Sequence, residues 1–297
     1  MSRSIEIVEV GPRDGLQSEA TILPVADRVE LIGRLVEAGA ARIEAASFVH
    51  PTKVPQMARA EEVVAALPDL NTVTYIGLVM NHRGLERALE TKVGEVNFVV
   101  PASDGYANSN QGMTTDAAAD MAAELIGTAH DAGRKAGVTI SVAWGDPYDG
   151  RVSIDRVTHL ARRLAEAGAD DLALGDTIGV AVPASVHEVV DAVHHVSGGA
   201  PIRCHFHNTR NTGYANAIAA IDAGVRGLDT AVGGYGGSPF TPDAGGNIAT
   251  EDVVHMLDGS SIATGLDAAK LIEVAQWLSI KLGSPHKSML PQAGVFP

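Results

Sequence analysis

Residues 203–208 read Arg-Cys-His-Phe-His-Asn, which predicts the end of a buried strand that carries two histidines. In a strand, residues two apart point to the same face, so His205 and His207 are expected to lie side by side. Two imidazoles on one face at a strand end form half of a divalent-metal site. The alternative is two polar core histidines, each satisfied by its own hydrogen bond. The rest of the chain favours the metal site.

Short apolar segments rich in β-branched residues alternate along the chain with longer amphipathic segments. The predicted strands cover residues 5–10, 41–45, 72–78, 95–100, 139–143, 171–174, 201–205 and 227–230. Examples of the predicted helices, which are rich in alanine, are residues 25–38, 115–136 and 153–167. Alternation of this kind favours a parallel sheet. Eight such units in 297 residues predict an α/β fold, a closed (β/α)8 TIM barrel.

The C-terminal part of the chain is also predicted to be helical. Residues 249–258 are the predicted eighth barrel helix, and residues 268–282 are an extra helix followed by a proline-containing tail. Because no linker composition divides the chain, we predict a single barrel domain over residues 1–297. Residues 260–297 of it would form a helical extension packed on the barrel. The alternative is an open sheet with a small C-terminal helical subdomain.

Composition limits the partners of this chain. Lysine and arginine total 22 against 36 for aspartate and glutamate, so the formal charge is −14. This charge argues against nucleic acid or an anionic membrane surface as a partner. The one cysteine, Cys204, excludes a disulfide framework and a cysteine-rich zinc site. No signal-peptide pattern or membrane-spanning run is present, so a cytoplasmic location is expected.

Polar residues follow most of the predicted strands at the end where TIM-barrel active sites form. They are Arg13, Asp14, Glu44, Ser103, Asp104, Asp146, Asp176, His205, His207 and Asn247. Taken singly, Asp14 would cap a turn, Glu44 would pair with an arginine and Asp176 would cap the following helix. Their convergence on one rim instead predicts a functional site.

The chemistry of this set is that of a metal centre. Asp14, His205 and His207 supply a carboxylate oxygen and two nitrogens, which suit Mg²⁺, Mn²⁺ or Zn²⁺, and Asn247 offers an amide oxygen. A metal held there would act as a Lewis acid toward a substrate hydroxyl and carboxylate. Arg13 would stabilise negative charge on a carbonyl oxygen as a carbon–carbon bond breaks. Because Arg13 and Asp14 are adjacent, their side chains are expected to diverge.

The chain resembles the 3-hydroxy-3-methylglutaryl-CoA (HMG-CoA) lyase family, within the metal-dependent barrel lyases and Claisen-type synthases. The matching segments, in order along nearly the whole chain, are residues 8–17, 43–44, 47–49, 54–57, 175–180, 205–207 and 246–252. The resemblance implies retro-Claisen cleavage of a 3-hydroxyacyl-CoA into acetyl-CoA and a keto acid, and a dimer as the common assembly.

The resemblance also implies roles for single residues. The positions that match the metal ligands of the family are Asp14, His205, His207 and Asn247. Arg13 matches the residue that polarises the thioester carbonyl, and Glu44 and Asp176 match acidic active-site residues. The base that takes the hydroxyl proton is Asp14, Asp176 or His205, and the sequence does not rank them.

Three departures from the family pattern bear on function. Ser238 occupies the position of a catalytic loop cysteine, and a hydroxyl is a much weaker acid than a thiol, whose reference pKa is about 8.5. Arg210 follows the histidines, either to bind a second substrate carboxylate or as a surface arginine of the next helix. Residues 18–21, Ser-Glu-Ala-Thr, lack the lysine that many members place after Gly-Leu-Gln.

Three functions are therefore compared. The first is a metal-dependent carbon–carbon lyase acting on an HMG-CoA-like or citramalyl-CoA-like 3-hydroxyacyl-CoA. The second is a metal-dependent aldolase or Claisen synthase acting on a 2-keto acid, so that the substrate would be a small hydroxy acid. The third is a catalytically weak homologue that retains metal or CoA binding. The first is favoured, because the metal and arginine positions are intact.

Overall fold

Eight parallel strands close into a barrel in the computed structural model, which describes residues 3–237 and 246–295. The strands are β1 (Glu6–Glu9), β2 (Arg42–Ser47), β3 (Thr74–Val79), β4 (Glu95–Pro101), β5 (Lys135–Ser141), β6 (Asp171–Asp176), β7 (Ile202–Phe206) and β8 (Gly227–Thr230). Each strand pairs with the next along the chain, and β8 pairs with β1. The predicted (β/α)8 TIM barrel is confirmed.

Helices cover the outside of the barrel. They are α1 (Val25–Glu37), α2 (Ala60–Ala66), α3 (His82–Leu89), α4 (Asp104–Gln111), α5 (Thr115–Asp131), α6 (Ile154–Glu166), α7 (Pro183–His194), α8 (Gly213–Asp222), α9 (Thr250–Gly259), α10 (Ala268–Leu282) and α11 (Leu290–Ala293). Helix α4 lies between β4 and α5 and was not predicted. Among the described residues, no helix combines the length and apolarity that crossing a membrane requires.

Element boundaries differ most from the prediction around β5. The predicted helix over residues 115–136 ends at Asp131, because Gly133 adopts a left-handed conformation (φ 71°) that stops it. The chain then enters β5 at Lys135, four residues before the predicted strand over 139–143. Strand β5 ends at Ser141 because Val142 has φ 52°, a conformation outside the strand region.

Charged side chains fill much of the barrel interior, where bulky aliphatic residues are usual in this fold. Arg42 on β2 bonds to Asp171 on β6, and Arg203 on β7 bonds to Asn97 on β4. Contacts between strands so far apart around the barrel pass through its interior. The described apolar cluster formed by Val8, Val10, Ile76 and Ala231 is small, whereas two large clusters lie between the strands and the helices.

The described part of the C-terminal segment packs on the barrel through α10. Its residues Leu271, Val274 and Leu278 belong to the same hydrophobic cluster as Leu31 and Leu35 of α1. At the edge of this contact, Lys281 Nζ lies 2.8 Å from Asp27 Oδ1, and Lys270 Nζ donates to Glu37 O at 2.9 Å. Burial of these apolar faces is the main stabilising contribution of the segment.

Two buried carboxyl groups lie beneath the glycine turn that follows β8. Glu9 Oε1 accepts hydrogen bonds from the amides of Gly11 and Val232, at 2.8 and 3.0 Å. Glu251 on α9 accepts one from Gly233 N at 3.1 Å. Burial, only partly offset by these bonds, raises the pKa of Glu9 to about 7 and that of Glu251 to about 8.

Replacement of Glu251 by glutamine is expected to stabilise the protein at alkaline pH. The folded state favours the neutral carboxyl, so its stabilising effect is complete below pH 4.5 and is lost as the pH rises toward 8. Glutamine keeps an oxygen for Gly233 N and does not titrate. At pH 9, the free energy of unfolding from urea titrations should be higher in Glu251→Gln by on the order of 3 kcal/mol.

The matched control for this change is Glu273→Gln, at an exposed glutamate of α10. This variant should keep the pH dependence of the parent protein. Equal unfolding free energies for Glu251→Gln and the parent at pH 5 and pH 9 would contradict a raised pKa at Glu251.

Candidate active site and metal centre

A tight turn after β1 positions the first pair of site residues. The amides of Arg13, Asp14 and Gly15 all donate to the Val10 carbonyl, at 3.1, 2.7 and 3.2 Å. Pro12, at the start of the five-residue turn Gly11–Gly15, has no N–H to satisfy. The turn holds Arg13 and Asp14 at the carboxyl end of the barrel, where the predicted site residues of β2 and β7 also lie.

The two histidines of residues 203–208 meet Asp14 as the sequence predicts. The Nε2 atoms of His205 and His207 lie 3.0 Å apart, and each lies 3.9 Å from Asp14 Oδ2. All three residues are nine-tenths or more buried. One ligand atom from each falls within 4.8 Å of the others, so this cluster could hold a metal ion.

Asn247 joins the cluster from the far side of the glycine-rich segment. It forms an isolated bridge with His207, which lies just past the end of β7. Its Nδ2 donates to Asp14 Oδ2 at 2.7 Å and to Tyr235 O at 2.9 Å. Its Oδ1 is buried and has no hydrogen-bond partner within residues 3–237 and 246–295. A buried oxygen without a donor is expected to have another partner, and a cation is suitable.

The residues present fit a divalent cation. Two imidazole nitrogens 3.0 Å apart, a carboxylate and an unpartnered amide oxygen make a mixed nitrogen and oxygen donor set. Burial and the neighbouring His205 lower the pKa of His207 to about 3, which leaves this ring neutral. Burial would raise the pKa of Asp14, but Arg13 and the two histidines outweigh it and hold that pKa well below its usual range.

Arg13 is clamped between two carboxylates. Its Nε donates to Glu44 Oε2 at 2.5 Å, and its Nη1 donates to Asp14 Oδ1 at 2.7 Å. Gln17 Nε2 also donates to Asp14 Oδ1, at 2.9 Å. The prediction that Arg13 and Asp14 diverge is therefore wrong, because the wound turn brings adjacent side chains together. Nη2 of Arg13 makes no hydrogen bond to the described residues and is left for a ligand.

Other predicted carboxylates at this rim cap backbone segments. Asp176 accepts from Val180 N at 2.8 Å and from Ala181 N at 3.1 Å, and burial nevertheless raises its pKa to about 6. Ser103 caps α4, and Asp104 accepts from Thr115 N at 2.7 Å. Asp146 caps a turn by accepting from Asp149 N at 2.8 Å. Capping therefore accounts for the last three residues without any catalytic role.

The three departures have different structural outcomes. Ser238 lies outside the described residues. Arg210 is exposed in the loop before α8, where its Nη1 donates to the carbonyls of Ile178 and Gly179 at 2.8 and 2.9 Å. Cys204 is buried within the larger hydrophobic cluster, and burial raises the pKa of its thiol. Arg210 therefore ties the loop after β7 to the loop after β6, and Cys204 does not reach the site.

Asp229 is the site residue that the sequence reasoning missed. It lies on β8, and its Oδ2 is 3.4 Å from His205 Nδ1. Burial would lower the pKa of His205, but the hydrogen bond to Asp229 raises it. A signal was available: Asp229 is a charged residue inside a predicted strand, paired in register with His205. An inward-facing carboxylate beside an inward-facing histidine is the usual partner of a metal-ligating imidazole.

Comparison with known proteins identifies the family. Residues 4–278 match the family model described as HMGL-like. The chain is 41% identical to the (R)-citramalyl-CoA lyase of Chloroflexus aurantiacus, covering 99% of this chain and 96% of the relative. It is 37% identical to the hydroxymethylglutaryl-CoA lyase YngG of Bacillus subtilis, covering 96% of each.

Solved structures agree with these relatives. An HMG-CoA lyase of B. subtilis superposes with a TM-score of 0.95 at 37% identity, over 98% of each chain. An HMG-CoA lyase of Acinetobacter baumannii, in complex with coenzyme A and 3-methylmalate, gives a TM-score of 0.93 at 35% identity, over 98% of this chain and 95% of that one. The carbon–carbon lyase class predicted from the sequence is confirmed. This chain therefore belongs to the HMGL-like family.

Proposed function

We propose that this protein is a divalent-metal-dependent lyase that cleaves a branched 3-hydroxyacyl-CoA into acetyl-CoA and a keto acid. The observation that supports it is the meeting of Asp14, His205 and His207 within 4.8 Å, with Arg13 clamped beside them. Mg²⁺ or Mn²⁺ is the expected metal, because half of the donor set is oxygen, and Zn²⁺ is the alternative. Asp14, His205, His207 and Asn247 would hold it.

The bound cation would supply Lewis-acid polarisation of substrate oxygens. Arg13, fixed by Glu44, would direct its free Nη2 toward the thioester oxygen. A base of the site takes the hydroxyl proton, the carbon–carbon bond beside the hydroxyl breaks, and its electron pair forms the thioester enolate. The hydroxyl carbon becomes the carbonyl of the keto acid. Protonation of the enolate carbon then completes acetyl-CoA, and Arg13 stabilises the charge in between.

The structure narrows the choice of base. Asp14 is the weakest candidate, since its pKa is held well below the usual range by Arg13 and the histidines. Burial raises the pKa of Asp176 to about 6, which suits proton transfer near neutral pH. We therefore favour Asp176 or His205 over Asp14.

Substrates that differ by one methylene separate the two candidate activities. (R)-Citramalyl-CoA would give acetyl-CoA and pyruvate, whereas HMG-CoA would give acetyl-CoA and acetoacetate. We favour (R)-citramalyl-CoA, because the 41% identical relative carries that name and Ser238 and Arg210 depart from the HMG-CoA lyase pattern. The test is a mass-resolved assay of both esters with Mg²⁺ and with Mn²⁺. Cleavage of neither ester would contradict the proposal and favour a metal-dependent aldolase.

Ser238→Cys tests whether position 238 takes part in proton transfer. A thiol, with a reference pKa of about 8.5, is a far stronger acid than a serine hydroxyl. If residue 238 protonates the enolate, turnover of HMG-CoA should rise by about tenfold or more, within the range of general acid catalysis. The control is Ser260→Cys, at an exposed serine after α9. Equal turnover in both variants and the parent would place proton delivery elsewhere.

A further inference from the structure

Arg203 lies at the centre of the barrel and makes three bonds in three directions. Its Nη1 donates to Asp229 at 2.5 Å, its Nε to Asp171 at 2.9 Å, and its Nη2 to Asn97 at 3.2 Å. The side chain is 4% exposed. A guanidinium is planar and stays charged, so its fork fixes the three partners relative to one another.

The first branch from Arg203 reaches the metal cluster. Asp229 accepts from Arg203 with Oδ1 and faces His205 Nδ1 with Oδ2, at 3.4 Å. A proton held on Nδ1 by this carboxylate leaves the lone pair on Nε2, the atom that lies 3.0 Å from His207 Nε2. The geometry therefore selects the tautomer of His205 that binds a metal through Nε2.

The second branch from Arg203 reaches Arg13. A guanidinium cannot accept a hydrogen bond, so the Asn97 atom that faces Arg203 must be the amide oxygen. The Asn97 amino group then points toward Thr139 Oγ1 at 3.0 Å and toward Glu44 Oε1 at 3.4 Å. The other oxygen of Glu44 holds Arg13 Nε at 2.5 Å. The orientation of Asn97, and through it that of Glu44, thus depends on Arg203.

Arg42 provides a comparison within the same interior. It shares Asp171 with Arg203 and bonds Glu95 Oε2 at 3.0 Å, but it contacts neither Asp229 nor Asn97. Its burial and its charge balance resemble those of Arg203. Any effect of Arg203 on the site that Arg42 lacks must therefore pass through one of the two branches.

We propose that Arg203 is a positioning residue for both halves of the site: it orients His205 through Asp229, and Arg13 through Asn97 and Glu44. The proposal rests on the proposed metal-dependent lyase function. It adds that metal affinity and the stabilisation of the enolate are set by two separable branches from one buried guanidinium.

The test uses Arg203→Lys, Asp229→Asn and Asn97→Ala, with Arg42→Lys as the matched control. Mn²⁺ affinity of the metal-free protein is measured by calorimetry, and kcat and KM are measured on the cleaved ester. Asp229→Asn should weaken Mn²⁺ binding by about 10- to 100-fold. Asn97→Ala should leave Mn²⁺ affinity unchanged and lower kcat by about tenfold, with KM unchanged. Arg203→Lys should show both losses, and Arg42→Lys neither.

The tautomer of His205 gives a readout that does not depend on turnover. In protein labelled with ¹⁵N-histidine, two-bond ¹⁵N–¹H spectra should show a proton on Nδ1 of His205 in the parent and in Asn97→Ala, and a tautomer mixture in Asp229→Asn. If Arg203→Lys does not fold, the other two variants still carry the test. Equal Mn²⁺ affinity in Asp229→Asn and Arg42→Lys, or weaker Mn²⁺ binding in Asn97→Ala, would overturn the proposal. A parent that binds no Mn²⁺ but keeps the Nδ1 tautomer would contradict the metal function alone.

Discussion

Asp14→Asn is expected to abolish both metal binding and turnover. Asp14 is the carboxylate that faces both histidines, at 3.9 Å from each Nε2. Its low pKa keeps it charged at every pH at which the protein is folded, and asparagine removes that charge at nearly constant volume. Calorimetry should detect no Mn²⁺ binding up to millimolar concentration. Loss of the Lewis acid should lower kcat by roughly a thousandfold or more.

A matched control separates loss of the metal from general damage to the rim. Asp146→Asn changes another buried carboxylate at the same end of the barrel, one that accepts from Asp149 N and lies outside the metal cluster. This variant should bind Mn²⁺ like the parent, and its thermal midpoint should still rise on adding Mn²⁺. Turnover by Asp14→Asn in the presence of a chelator would refute the metal-centred function.

Arg13→Met is expected to separate catalysis from metal binding. Nη2 of Arg13 is the donor left for the thioester oxygen, so its loss removes stabilisation that exists mainly in the transition state. Removal of one such donor typically costs 100- to 1,000-fold in kcat, or about 3–4 kcal/mol. Because Asp14, His205 and His207 remain, Mn²⁺ affinity should change by only a few fold.

Two further variants control for the buried charge of Arg13. Arg13→Lys keeps the charge but loses the fork, and its kcat should lie between those of the parent and Arg13→Met. Arg28→Met removes a buried guanidinium of α1 that donates to Ala58 O, far from the site; it should lose stability but retain kcat. A normal kcat in Arg13→Met would show that another group stabilises the enolate.

The sequence predicted the fold well because each strand is a short apolar segment between amphipathic helices. It misplaced β5 because Lys135, Ala136 and Gly137 do not form an apolar run, although they pair with residues 95–97 of β4 in the structure. The strand is specified there by its neighbour and not by local preference. The stop at Val142 is a tertiary effect of the same kind.

The site was predicted where function depends on local spacing. His205 and His207 follow from strand alternation, and their approach to Asp14 follows from barrel closure. The contact of Asn247 with His207 joins residues 40 positions apart through an isolated bridge, so only family resemblance placed it in the cluster. The convergence of Arg13 and Asp14 depends on the backbone of a five-residue turn, which strand and helix patterns do not encode.

The position of Cys204 has a consequence for handling the protein. It is the only sulfhydryl in the chain, it is fully buried between strand and helices, and its pKa is raised by that burial. A thiol in this state reacts with alkylating reagents and disulfides only when the barrel opens. The rate of labelling at this single position therefore reports global unfolding directly, and the folded protein needs no reducing agent during purification or assay.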